Sequence, residues 1–246
     1  MPAEAPPAFA GPLFIPAYRP LARGRWEVRI MELGIAPGYW SGPRPTRDMP
    51  ALLRDGDTWM SITPLEYESQ EIGIRAASGY VLIFGLGLGW AAAAACCIPG
   101  VRRVTVVEQD ADVIALHENL GVFDQLPDAA RAKLTIERGD AYAYRPAQPV
   151  DLLMPDIWLP LVGGDRVEEV RRMQANVRAA RIYFWGQELE IARHAVAAGR
   201  TLDAEGVAET VAAFDLPLLV PCDFDYGRKI EAAAAQWMRG RWLTRA

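Results

Sequence analysis

Four apolar residues, Val81-Leu82-Ile83-Phe84, run directly into Gly85-Leu86-Gly87-Leu88-Gly89, and an alanine-rich segment follows at once. The apolar run reads as a buried strand, the glycines as a tight loop, and residues 90–98 as a helix stopped by Pro99-Gly100. A strand, a Gly loop and a helix in succession is the layout in which α/β sheets bind nucleotide-like ligands at the carboxyl end of a strand. Glycine suits such a loop where φ is positive or where a ligand lies against the main chain. The dinucleotide pattern G-x-G-x-x-G needs a glycine at position 90. Trp90 stands there, so the loop reads G-x-G-x-G.

Strand and helix patterns alternate from Gly79 onward. Strands are expected at residues 81–84, 103–107, 134–137, 151–154 and 182–185, with helices between them, Asp110 and Asp165 as caps and Gly121 as a stop. Parallel strands joined by helices predict an α/β fold with a doubly wound, mostly parallel sheet. Helices are expected at 203–214 and 226–239, and residues 216–220 offer one further strand.

The region before residue 64 reads differently. Pro2, Pro6, Pro7, Pro12, Pro16 and Pro20 exclude a helix there and leave either a mobile arm or an extended strap. Residues 26–33 alternate like a strand, 34–50 read as turn-rich, and 58–63 read as a second strand. The expected division is therefore a Pro-rich arm with a small N-terminal β unit over 1–63, and an α/β ligand-binding domain over 64–246, opened by a helix at 64–77.

Charge and composition narrow the function. The net charge of −5 gives no global basic footprint, which argues against nucleic acid, and Arg228, Lys229, Arg239, Arg241 and Arg245 read as a solvated helix end. Cys96, Cys97 and Cys222 form neither a disulfide framework nor a zinc spacing, and His117 and His194 stand alone, so no metal is expected. No basic segment followed by an apolar run opens the chain, and residues 91–98 are too short to cross a bilayer. The expectation is a cytoplasmic protein without a membrane partner.

Acids stand at the predicted strand ends. Glu108 closes the second strand, twenty-three residues after Gly85, where a carboxylate accepts hydrogen bonds from both hydroxyls of a ribose. A solvated strand-end acid is the plainer alternative. Gly139-Asp140-Ala141 follows the third strand, with an ordinary Gly-Asp turn as its alternative. Met154-Pro155-Asp156-Ile157-Trp158-Leu159-Pro160 ends the fourth strand. Asp156 is its only carboxylate, and Trp158 is placed to stack on a substrate or simply to pack.

G-x-G-x-G with these acids resembles the class I S-adenosylmethionine-dependent methyltransferases and their relatives, the spermidine synthases, over about residues 60–190. The resemblance implies a Rossmann-like methyltransferase fold with S-adenosylmethionine held by Gly85, Gly87, Gly89, Glu108, Asp140 and Ala141. Asp140 would meet the adenine amine. Tyr67-Glu68-Ser69-Gln70-Glu71 is similar to the Tyr-Gln-Glu-type segment of spermidine synthases, which places Tyr67 and Gln70 with Trp158 on the substrate side. The D-x-x-D-P motif of that branch reads Asp156-Ile157-Trp158-Leu159-Pro160 here, so Leu159 replaces its second acid, and Leu88 replaces the acid of its Gly loop. Both departures count against aminopropyl transfer. The leading expectation is methyl transfer to a small-molecule or peptide acceptor, with Asp156 as the base. The alternatives are aminopropyl transfer and a non-catalytic relative that keeps the fold for binding. A nicotinamide-binding protein is opposed by Trp90. The resemblance also implies a homodimer.

Overall fold

The computed structural model describes residues 8–221 and 225–243. Pro2, Pro6, Pro7, Cys222 and Arg245 lie outside the described residues. Strands β1 (Leu21–Arg23), β2 (Trp26–Ala36), β3 (Arg44–Arg54) and β4 (Asp57–Ser61) form an antiparallel sheet in chain order. This corrects the expectation for residues 34–50, most of which are strand rather than turn. Pro50 is tolerated inside β3 because its carbonyl accepts from the Ile62 N–H at 2.9 Å. Its missing N–H therefore faces the same edge, just past the end of β4, and no bond to β2 is lost.

The α/β body follows as α1 (Pro64–Arg75), β5 (Gly79–Phe84), α2 (Trp90–Cys96), β6 (Val101–Glu108), α3 (Ala111–Leu120), α4 (Asp128–Arg131), β7 (Leu134–Arg138) and β8 (Leu152–Pro155). Helices α5 (Arg166–Val177), α6 (Gln187–Ala197), α7 (Ala204–Ala213) and α8 (Tyr226–Trp237) complete it. The sheet is parallel in the order β7-β6-β5-β8. Side chains of β5 alternate between two cores. Val81 and Ile83 join α2 and α3 on one face, whereas Leu82 and Phe84 join α5, α6 and α8 on the other. A strand apolar on both sides must be covered on both sides, and this one is, which is the doubly wound arrangement.

Residues 182–185 do not form the expected strand. They run beside β8 through the Tyr183 N–H to Leu153 O and Trp185 N–H to Pro155 O bonds (2.9 and 3.0 Å). Ile182 alone makes a ladder bridge to Leu153, and a second bridge to Leu218 is all that forms of the strand expected at 216–220. Pro217 has no N–H to give, and the Leu218 N–H turns back onto the Leu216 carbonyl, so pairing cannot extend.

The proline-rich arm is a strap. Arg75 Nη1 donates to the carbonyls of Phe9 (3.1 Å) and Gly11 (2.8 Å), Trp90 Nε1 to that of Phe14 (3.1 Å), and the Tyr18 hydroxyl to that of Leu88 (3.0 Å). Leu13, Trp26, Val28 and Leu52 share one core with α1, α2 and α3, so the N-terminal sheet is packed onto the body and closes over the Gly loop.

Candidate functional site

From β5 the chain builds outward through β6 to β7 on one side, and the return from β7 places β8 on the other. The carboxyl end of β5 is therefore the point where the strand order reverses, and a crevice opens there. The Gly loop lies in this opening. Gly85, Gly87 and Gly89 have φ of +94°, +50° and +74°. A side chain at Gly85 would collide with the Asp156 carbonyl oxygen, one at Gly87 with Met60 Sδ, and one at Gly89 with His117 and Phe123. Two of the three glycines are thus required by the protein's own packing, and the third faces a thioether from β4.

Polar groups of the loop are held from several elements. His117, on α3, approaches the Gly87 carbonyl with Nε2 at 2.8 Å. A carbonyl only accepts, so Nε2 carries the proton, and burial lowers the imidazole pKa to about 4, which keeps the ring neutral. The Leu88 N–H donates to Met60 Sδ at 3.2 Å. Glu108 ends β6 and faces the loop. Its Oε2 accepts from the Leu86 N–H at 2.9 Å and its Oε1 from the Asp110 N–H at 2.8 Å. Each oxygen keeps a second lone pair, so the carboxylate retains acceptor capacity toward the crevice.

Asp140 follows β7 and is exposed. Its Oδ1 accepts from the Tyr142 N–H at 2.9 Å, an Asx turn that leaves Oδ2 free of that bond. Ala141 beside it is buried. On the other side, Asp156 follows β8. Gln70, on α1, donates through Nε2 to Asp156 Oδ2 at 2.8 Å. Burial pushes Asp156 up to about 7, with Arg166 and Gln70 pulling it back. Glu66 stands one helical turn before Gln70 on the same face and is buried. Burial, and then the charge of Asp156, raise it well above the ordinary carboxyl range. Asp156 is therefore poised to exchange a proton near neutral pH, beside an acid that burial draws toward its protonated form.

Trp158 is fixed by Arg166, whose guanidinium lies 4.0 Å from the indole centroid. Arg166 is itself buried and donates to the carbonyls of Trp185 (3.1 Å) and Pro160 (2.7 Å), which holds the segment after β8 in place. Trp185 Nε1 donates to Ser69 Oγ at 3.0 Å.

A cavity of about 1050 Å³ joins these groups. Gly85, Gly87, Gly89, Glu108, Asp140, Ala141, Gln70, Asp156 and Trp158 all line it. Tyr67 is the exception. It stacks on Trp90 at 5.2 Å, and its hydroxyl receives a bond from Arg75 at 3.3 Å, so its place is in the packing behind the loop. The cavity also receives Trp185, which the sequence offers for a substrate wall or an interface, and Met60 and Glu66, which sequence reasoning missed. Trp26 and Trp59 add an aromatic wall, with Arg54 over both rings at 5.4 and 5.5 Å. Among the described residues no group of three metal-ligating side chains gathers, and no helix is long and apolar enough to cross a membrane.

No family model and no curated protein matches the chain. Among solved structures it is similar over part of its length to the methyltransferase domain of bacterial CtHen1, at 15% identity and a TM-score of 0.33, covering 41% of this chain and 53% of that one. It is similar to the glycopeptide N-methyltransferase MtfA complexed with sinefungin at 23% identity and a TM-score of 0.34, covering 45% and 43%. It is similar to the DhpI–SAM–HEP complex at 22% identity and a TM-score of 0.31, covering 43% of each chain. The chain thus spans about half or less of each of these structures.

Proposed function

We propose that the chain binds S-adenosylmethionine at the Gly loop and transfers its methyl group to a small-molecule or peptide acceptor. The observation that carries this reading is Glu108. It ends β6, bonds to the Leu86 N–H of the Gly loop, and lines a cavity large enough for a nucleoside and an acceptor together. The residues present fit the adenosine half. Glu108 has acceptor capacity for ribose hydroxyls, Asp140 has an oxygen for an exocyclic amine, and Ala141 gives an apolar surface. When bound, the group supplies an activated sulfonium methyl carbon, so the protein's work is alignment, exclusion of water and handling of one proton. Asp156 accepts that proton from the acceptor. Gln70 orients its carboxylate, burial favours the protonated form of Glu66 beside it, and Ile157, Trp158 and Trp185 line the same cavity.

Titration calorimetry tests the reading. A folded sample binds S-adenosylmethionine, and Glu108→Ala weakens that binding. No binding by folded protein, or equal binding by the variant, overturns it.

A non-catalytic binding protein is the second reading, and one observation favours it: Met60 rests directly on the Gly loop. The aminopropyl-transfer reading has less support. Leu88 is fully buried and Leu159 is half exposed, so neither position offers the site an acid.

A further inference from the structure

Met60 reaches the loop through a local irregularity. In the β3–β4 pairing, Leu52 faces Met60 and Leu53 faces Thr58, which leaves Trp59 as an extra residue on β4. A bulge of this kind bends a strand and re-aims its side chains. Trp59 turns onto Trp26, with ring centroids 5.5 Å apart, and Met60 turns into the loop. There its sulfur receives the Leu88 N–H and covers the bare face of Gly87. A thioether is a weak acceptor. The next amide, that of Gly89, is already spent on the Leu86 carbonyl at 2.7 Å, so the Leu88 N–H is held only by this weak acceptor.

We propose that Met60 gates the Gly loop: its thioether occupies the seat of the ligand's tail, and a tail carrying a stronger acceptor, such as a carboxylate, displaces it and takes over the Leu88 N–H. The displacement follows from relative acceptor strength, because a charge-assisted bond to the amide outcompetes an N–H···S contact. Opening moves Met60 and the end of β4, so the N-terminal sheet registers whether the tail is present. On this reading Glu108 and Asp140 hold the nucleoside and the Leu88 N–H holds its tail, so a nucleoside without a tail binds under a closed gate. This inference rests on the nucleoside reading above. It adds the residue that controls access and the chemistry of the group that opens it.

The experiment compares S-adenosylhomocysteine, which has an amino-acid tail, with 5′-methylthioadenosine, which has none. Calorimetry is run on the wild type, Met60→Ala and Met60→Leu, with the methyl resonances of ¹³C-labelled methionine as a second readout. A closed gate lowers apparent affinity by the fraction of open molecules, so Met60→Ala is expected to tighten S-adenosylhomocysteine about tenfold and to leave 5′-methylthioadenosine within about twofold. Met60→Leu keeps the bulk, guards against a folding defect and gives up the sulfur acceptor, so its gain is smaller. The Met60 methyl resonance of the wild type moves with S-adenosylhomocysteine and stays in place with 5′-methylthioadenosine. Equal affinities across the three proteins, or a loss in Met60→Ala, overturn the gate and leave the nucleoside reading standing. If all three proteins are folded and bind neither nucleoside, the reading and the gate fall together.

Discussion

Gln70 Nε2 donates to Asp156 Oδ2 at 2.8 Å, so α1 holds the one carboxylate that follows β8 into the cavity. The bond favours the ionised acid and opposes the burial that raises it to about 7. Gln70→Leu removes the donor and keeps an apolar body in its place. The acidic limb of the kcat/KM profile, which reports ionisation of the base, is then expected to move to higher pH. Activity at pH 7 falls about fivefold if the bond contributes about 1.4 kcal/mol, because the ionised fraction of Asp156 drops from about one half to about one tenth. An unshifted profile would mean that Asp156 is not the group that titrates in the reaction.

Glu66 carries a stability consequence of its own. Its pKa in the folded protein lies above its unfolded value because the carboxyl is buried beside Asp156. The folded state therefore binds the extra proton, and stability falls as pH rises from the ordinary carboxyl range through the folded value. Glu66→Gln keeps the shape and removes the titration. Urea denaturation at pH 5 and pH 8 is expected to show a smaller loss of stability toward alkaline pH in the variant than in the wild type.

Local signals made the β5–Gly loop–α2 unit and Glu108 legible in the sequence, because an apolar run, three glycines and a strand-end acid are neighbours in the chain. Met60, Glu66 and His117 were illegible for a common reason: each acts through a contact that docking creates. Met60 is aimed by a bulge that no residue type marks, and His117 meets Gly87 only because α3 packs against the loop. Glu66 and Glu68 belong to the helix expected at 64–77, whose residue types do not mark which of its acids is buried. Both are buried, Glu66 in the cavity and Glu68 under the backbone N–H groups of Trp40 and Ser41. The Asx turn of Asp140 also shows that its turn-forming and ligand-facing readings are compatible.

His117 is expected to show the opposite pH sign from Glu66. Its folded pKa of about 4 lies below the ordinary imidazole value, so the unfolded chain binds the proton first. Its contribution is present at pH 7 and is lost as pH falls from about 6.5 toward 4. His117→Phe keeps the stack on Phe123, whose ring lies 5.4 Å away, but leaves the Gly87 carbonyl without its donor. Chemical denaturation at pH 7 is expected to show a loss of about 1–3 kcal/mol. The same variant should lose less stability than the wild type between pH 6.5 and pH 5.

The Gly loop separates structural from ligand-driven glycines. Gly85→Ala combines φ of +94° with a collision against the Asp156 carbonyl, so it strains the loop and displaces Asp156, the proposed base itself. The expected loss is about 2–4 kcal/mol, together with weaker nucleoside binding. Gly164→Ala is the control, because its Cβ meets nothing within 4 Å, and thermal unfolding should place it near the wild type.

Arg166 tests whether the segment after β8 is a built wall or an incidental loop. Its side chain is 1% exposed, covers Trp158 and donates to the carbonyls of Pro160 and Trp185. Glu190 is buried beside it and paired with Arg193, so the cluster is charged on both sides. Arg166→Met keeps much of the aliphatic volume but frees two carbonyls and removes a cation that draws Asp156 toward ionisation. Breaking a buried charged cluster in this way is expected to cost about 3–5 kcal/mol in denaturant unfolding. In the surviving folded fraction, tryptophan fluorescence should shift to the red as Trp158 meets water, and the pH midpoint of activity should move upward. A variant with wild-type stability and an unshifted profile would show that Arg166 neither holds Trp158 nor acts on Asp156.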